Sequence, residues 1–234
     1  MKIYNVKSSL IEKALIAFMF VFALIEVIAE LSSFEPILFA FKPFIALLIL
    51  ILYLITSKVR NTLFILASIF LFIVSVLLIP NSSYFSLAAL AGYIIHRSLL
   101  ISYIIKINKV KDFIPVVIAI IPTLFIFSYL LSIADEINTS SFYGIVIQNI
   151  VISIMAGLVI SNYFMNDNND SPWLYIYGLL FTALYFTVFI EKCFLSTFPP
   201  TFFRPLGMVL YVSSYYAFYR FVIDTENIHK DRVQ

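Results

Sequence analysis

The sequence predicts an all-α fold: a polytopic transmembrane bundle of about eight helices, forming a single membrane domain with both termini in the cytoplasm. Three observations carry this. First, 62% of the 234 residues are hydrophobic and only 12% charged, with a mean hydropathy of +1.03. A soluble domain is nearer half apolar and a quarter charged, roughly, so this chain lacks the polar side chains to cover a water-facing surface. Second, the apolar residues run in windows of about 20, the length that spans a hydrocarbon core as a helix. Such runs are far too long for barrel strands and do not alternate. Third, lysine and arginine gather in alternate connections.

The windows are 11–31, 36–57, 61–80, 84–106, 114–134, 142–164, 173–194 and 203–223. They break where turn chemistry falls: Ser32-Ser33, Lys58 to Asn61, Pro80-Asn81, Asn108 to Asp112, Asp135 to Ser141, Asn166 to Pro172, and Phe198 to Thr201. The lysines ahead of Ala14 to Ile25 resemble the opening of a signal peptide. No small-x-small cleavage site follows, and Glu26 and Glu30 arrive instead, so the segment reads as an uncleaved first helix.

Orientation follows from the basic residues. Lys2, Lys7 and Lys13 precede or open the first window, and Lys58 and Arg60 lie between the second and third. Lys106, Lys109 and Lys111 lie around the connection from the fourth to the fifth, and Arg220, Lys230 and Arg232 mark the carboxyl end. The opposite connections are acidic, with Glu30 and Glu35, then Asp135 and Glu136. The positive-inside rule places the amino end in the cytoplasm, and an even helix number returns the carboxyl end there. Asp167 and Asp170 fall on the inner side, but acidic residues count little in this rule. The connections are too short to hold a soluble domain, so any chemistry belongs within the bundle or at its mouth.

Several function classes are excluded or disfavoured. The net charge is +2 and no basic cluster has aromatic interleaving, so no nucleic-acid partner is expected. Cys193 is the single cysteine, which rules out an intrachain disulfide and disfavours a cysteine metal site. His96 and His229 are the two histidines, and His229 lies in the polar tail, so no metal site and no cofactor are expected. P-loop, dinucleotide-binding, HExxH and G-x-S-x-G motifs are absent. The expected partners are membrane lipids. The preference for Ile, Phe, Lys and Asn over Gly and Ala points to an AT-rich bacterial genome, hence a bacterial plasma membrane.

A charge at the bilayer centre costs about 2.5–3.5 kcal/mol on insertion scales, so each one in a window is a candidate functional group. At a rise of 1.5 Å per residue, Lys42 lies roughly 9 Å below Pro36, and Gln148 and Asn149 roughly 10–12 Å below Ser141. Glu26 lies about 8 Å below Leu31, and Glu191 with Lys192 about 10 Å below Pro199. These residues form one layer in the outer half, and His96 and Arg97 lie deeper, roughly 14 Å from Lys106. The layer suggests a polar pocket. Arg97 should face the interior and pair with a carboxylate or carbonyls, with Glu26 one candidate. Glu26 and Glu30 share a helical face, and Lys42 is placed to neutralise one of them. The plainer reading is that Lys42 and Glu26 snorkel, Glu191 and Lys192 mark a helix end, and Gln148 and Asn149 hold helices together. Pro43 would free a carbonyl at Phe39, and Pro122 one at Ile118, each also explicable as a packing kink.

Four stretches resemble the YhhN family of lysoplasmalogenase-like membrane proteins. FKPFIALLILILYLI in the second window is similar to that family's Lys-Pro opening, and FSLAALAGYIIHRSLLISYI in the fourth to its small-residue run with an embedded histidine. GIVIQNIVISIMAGLVI and MVLYVSSYYAFYRFVI resemble its sixth and eighth helices. The family hydrolyses the vinyl-ether bond of lysoplasmalogen, releasing a fatty aldehyde. The resemblance departs where the family carries acids: Val74-Ser75 stands for Gly-Asp, and Leu184, Tyr185 and Phe186 for a Ser-Asp pair. Leu99 stands for a tyrosine three residues after the histidine.

The resemblance implies a pocket for a single-chain lipid, with or without hydrolysis. In the hydrolytic form Glu26 or Glu191 acts as acid or base. His96, the third catalytic candidate, and Arg97 then orient the lipid or bind its phosphate, and Lys42 is a charge partner. Lys42, Gln148 and Asn149 join Arg97 in binding. Two alternatives stand beside it. One is a non-catalytic structural or interaction protein. The other is a small transporter subunit, against which 5 glycines and the absence of a clear internal repeat count.

Overall fold

The computed structural model describes residues 2–32, 41–80, 82–108, 112–134, 139–165, 171–195 and 202–231. Among them the chain forms eight α-helices and no strand. They are α1 Lys2–Leu31, α2 Phe41–Thr56, α3 Thr62–Leu77, α4 Ser83–Ile107, α5 Ile114–Ser132, α6 Thr139–Met165, α7 Trp173–Phe194 and α8 Phe203–Asp231.

The helix interiors match the apolar windows, and most described ends fall within three residues of them, but two ends run well past. α1 starts at Lys2 rather than 11, and α8 runs to Asp231 rather than 223. An apolar window stops where polar residues begin. A helix does not, because lysine and glutamate are good helix formers. The start of the second window at 36–40 lies outside the described residues. So do Phe39 and the connections bearing Glu35, Asn81, Lys109, Lys111, Asp135, Glu136, Asp167, Asp170 and Pro199. Pro43 sits in the first turn of the described α2, where the helix needs no backbone donor.

Caps explain several starts. The Asn61 side chain accepts from the Leu63 amide at 3.0 Å and opens α3. Pro115 stands in the first turn of α5 and Pro172 directly precedes α7. Six helices are long and apolar enough to cross a membrane: α1 and α4 to α8. α2 and α3 have 16 residues each. They are apolar but shorter, about 24 Å at 1.5 Å per residue.

Seven helices close a ring. α1 packs on α2 and α8, α2 on α3, α3 on α4, α4 on α6, α6 on α7, and α7 on α8, while α2 also touches α8. α5 stands outside the ring against α6. Its Val117, Ile118, Ile121, Phe125, Ile126 and Tyr129 are exposed. Gly157 of α6 permits this docking. A Cβ there would lie 3.1 Å from both the Ile120 nitrogen and the Val116 oxygen, backbone atoms of α5, and would collide with the Ile120 side chain.

Polarity is inverted relative to a soluble domain. Glu26, His96, Arg97, Gln148, Asn149, Ser153 and Ser214 are buried, while large aliphatic and aromatic side chains of α1, α4 and α5 are exposed. That arrangement suits a hydrocarbon surround, and six spans of this kind make the chain an integral membrane protein. Many interior hydroxyls are settled within their own helix. Ser68, Ser75, Ser153 and Thr187 each donate to the carbonyl four residues back.

Opposite ends of the ring carry different polar clusters. At one end Glu30 of α1 lies within electrostatic reach of Lys42 of α2, Glu191 and Lys192 of α7, and Arg204 of α8. At the other, Glu226 of α8 holds the turn between α2 and α3. Its Oε1 accepts from the Tyr53 hydroxyl and its Oε2 from Ser57, each at 2.7 Å. Those hydroxyls in turn accept the backbone N–H groups of Asn61 at 2.6 Å and Arg60 at 2.9 Å. Arg60 has φ 51°, a left-handed conformation, so this double bond holds a strained turn in place.

Candidate functional site

The interior site is built from α4 outward. Tyr93 and Arg97 are four residues apart and share one face of α4, with His96 beside them. The guanidinium carbon of Arg97 lies 5.4 Å from the Tyr93 ring centroid, 5.3 Å from Phe181 and 5.0 Å from Tyr185, the last two on α7. One Arg97 nitrogen, Nη1, donates to Gln148 Oε1 on α6. Gln148 Nε2 donates to the Leu90 carbonyl at 3.3 Å, which fixes the orientation of the amide. Asn149 continues the network: its Oδ1 accepts from the Tyr185 hydroxyl at 2.6 Å, and its Nδ2 donates to the Phe127 carbonyl of α5 at 3.5 Å. Arg97, Gln148 and Asn149 thus join α4, α6 and α7 and reach α5.

His96 is 1% exposed and both ring nitrogens have protein partners. Nδ1 lies 2.7 Å from the Ala67 carbonyl of α3, which can only accept, so Nδ1 carries the proton and donates. Nε2 lies within hydrogen-bonding distance of the Tyr215 hydroxyl of α8, at 3.0 Å. The two bonds fix the orientation of the ring. It is built to hold α3, α4 and α8 in register around Arg97, a positioning role.

The charged residues at the Lys42 end form a second group. Glu26 is fully buried and meets Lys42 Nζ at 3.6 Å; Lys42 is one-third exposed. Among the described residues, neither carboxylate oxygen of Glu26 has a partner within hydrogen-bonding distance. Glu191 accepts from Arg204 Nε at 2.9 Å in a partly exposed pair. Between the two groups stands Tyr211, whose buried hydroxyl has Glu26, Ser75 and Tyr93 as its polar neighbours among the described residues. The Tyr211 and Tyr215 rings meet edge to face at 4.8 Å, so α8 links the Glu26 side of the ring to His96.

Set against the sequence expectations, the placement is mixed. His96, Arg97, Gln148 and Asn149 do converge, and Glu26 does pair with Lys42. Two expectations are corrected. Glu26 is not the partner of Arg97, because α1 packs on α2 and α8, whereas Arg97 points toward α6 and α7. Glu191 is not deep in its helix: α7 ends at Phe194, so Glu191 sits in the last turn, held by Arg204, which agrees with the plainer reading that it marks a helix end. Sequence reasoning missed Tyr93, Phe181, Tyr185, Tyr211 and Tyr215, and the whole Glu226 cluster. The i, i+4 spacings Tyr93–Arg97 and Tyr211–Tyr215 were the available signal.

Fold and site together define a helical integral membrane protein with a buried, aromatic-lined cationic centre. No family model, curated protein or solved structure matches this chain. Among the described residues, no three His, Cys, Asp or Glu side chains are grouped so as to hold a metal ion.

Proposed function

We propose that this chain is a YhhN-like protein of a bacterial plasma membrane that takes the head of a single-chain lipid into the polar interior of its helix ring. The observation that carries the reading is Arg97, 8% exposed, held by Gln148 and three aromatic rings at membrane depth. Intramembrane charge of this kind is rare and faces functional cavities or pathways. The distribution of basic connections favours the Lys42 end outside, which supports entry of the lipid from the outer leaflet. Lys42, Arg97, Gln148 and Asn149 serve binding, and His96 with Tyr215 positions them.

The narrower form of the proposal is hydrolysis of a vinyl ether. An acid protonates the alkene carbon, water adds to the carbon bearing oxygen, and the hemiacetal collapses to aldehyde and alcohol. Glu26 is better placed for the acid than Glu191. It is fully buried beside the Tyr211 hydroxyl, whereas Glu191 is paired with Arg204 at the periphery. Lipids extracted from purified protein should include a single-chain species, reduced several-fold in Arg97→Gln. On incubation with lysoplasmalogen, aldehyde should form with the wild type, fall at least tenfold in Glu26→Gln, and stay within twofold in Glu191→Gln. No co-purifying single-chain lipid would defeat the binding reading. Lipid without aldehyde would defeat hydrolysis alone.

A non-catalytic structural role is the second reading, favoured by Asn149, whose two bonds tie α6 to α5 and α7. In that case alanine at Lys42, His96 or Arg97 lowers thermal stability in detergent and leaves lipid content unchanged.

A further inference from the structure

Arg97 is buried behind the wall of the ring, so a ligand of the interior reaches it only if part of that wall moves. Each of the seven ring helices is tied to a neighbour by a buried polar contact. Glu26 with Lys42 joins α1 to α2, and His96 joins α3, α4 and α8. Arg97, Gln148, Asn149 and Tyr185 join α4, α6 and α7. Among the described residues, no side chain of α5 makes such a tie. Its one polar link to the ring is the Phe127 carbonyl, which accepts from Asn149 Nδ2 at 3.5 Å, the outer limit for a hydrogen bond.

The two halves of α5 are built differently. Ahead of Pro122, the backbone at Val116 and Ile120 lies against Gly157 of α6. Beyond Pro122, Phe127 is the buried residue, 2% exposed. Its ring meets Tyr185 edge to face at 4.9 Å and lies 5.9 Å from Phe189, both on α7. Tyr185 in turn lies 5.0 Å from the Arg97 guanidinium carbon. Phe127, Tyr185 and Arg97 thus form a series leading from the helix outside the ring to the cation within it. Pro122 stands between the two halves and is exposed. It has no N–H to give the Ile118 carbonyl, so the backbone bond that would stiffen α5 at this point is missing. An element with few buried contacts and a local break opens at lower cost than the ring helices.

We infer that the half of α5 beyond Pro122 is a lateral gate. It bends at Pro122 while Gly157 holds the other half, draws Phe127 off Tyr185, and opens the seam between α6 and α7 to the hydrocarbon. A single-chain lipid then enters from the side of the bundle, not down its axis. This rests on the reading that the ring interior takes such a lipid, and it assigns the entry route.

The test follows release of radiolabelled lysophosphatidylcholine. Purified protein in detergent is loaded with it and chased with excess unlabelled lipid, and the label retained is counted over time. In a Cys193→Ala background, Phe127→Cys with Phe186→Cys places thiols on α5 and α7, where the two rings stand 6.5 Å apart. Linking them with a short bifunctional thiol reagent should slow release at least tenfold relative to the unlinked pair. Pro122→Ala, which restores the missing backbone bond, should slow it several-fold relative to the parent. Phe20→Cys with Tyr216→Cys, linked across α1 and α8, is the control and should release within twofold of its unlinked form. Release unchanged by the α5 link overturns the gate and leaves the lipid reading standing, as does equal slowing by the α1–α8 link. Should the unlinked α5 pair fail to hold the label, Pro122→Ala decides, and release at the parent's rate overturns the gate. A parent that holds no label overturns the lipid reading and the gate with it.

Discussion

Glu226 shows how much a single side chain can hold. Its two oxygens accept from Tyr53 and Ser57, which accept the amides of Asn61 and Arg60 in turn. One carboxylate therefore ties α8 to the turn between α2 and α3. Glu226→Gln leaves one acceptor oxygen for two hydroxyl donors and removes the charge that strengthens both bonds. Hydrogen bonds to charged groups contribute about 1.5–3 kcal/mol, so the variant should be destabilised by about that amount in detergent unfolding. Ser57→Ala should cost less, about 1 kcal/mol, and the double variant should fall short of the sum because the groups share a network. Full additivity would contradict the shared bonding. None of this was legible in the sequence, where Glu226 reads as one more polar residue beyond an apolar window. Arg97, Gln148 and Asn149 were legible, because polarity inside an apolar run stands out. The tyrosines were not: a phenol passes for an apolar residue by composition, and its role emerges only once the inward helix face is known.

At the scale of elements, the helix interiors could be read from apolar length alone, and the ends could not. α1 and α8 run past the apolar windows because backbone hydrogen bonding continues through lysine, glutamate and aspartate. The partner of each helix was likewise hidden, since lipid-facing and helix-facing surfaces are both apolar. α5 makes the point: it is as apolar as its neighbours yet stands outside the ring, with Val116 and Phe127 its buried large residues. Gly157 marks where its backbone approaches α6. In Gly157→Leu the added side chain meets α5 backbone, which cannot rotate away as a side chain can. α5 should separate from α6, and cysteines introduced on the facing surfaces of the two helices should cross-link several-fold less efficiently than in the parent. Gly207 offers the control, because a Cβ there meets nothing within 4 Å. Gly207→Ala should leave the cross-linking unchanged. Equal cross-linking in Gly157→Leu and the parent would show that α5 is not held by this contact.

For the molecule as a whole, the ring places apolar surface outward and charge inward, and its two ends differ. Glu26, Glu30, Lys42, Glu191 and Arg204 gather at one end, Tyr53, Ser57 and Glu226 at the other. Both the proposed outer-leaflet entry of a lipid and the membrane depth of Arg97 depend on the chain alternating across a bilayer with the Lys42 end outside. Ser32 and Ser82 are exposed beyond helix ends on that side, and Lys58 and Asp112 are exposed on the other. The most direct measurement replaces Cys193 with alanine, places one cysteine at each of these four positions in turn, and labels intact cells with a membrane-impermeant maleimide. Ser32→Cys and Ser82→Cys should label in intact cells, and Lys58→Cys and Asp112→Cys only after permeabilisation. Labelling of Lys58→Cys together with Ser82→Cys in intact cells would contradict the alternating bundle, and with it the membrane placement of Arg97.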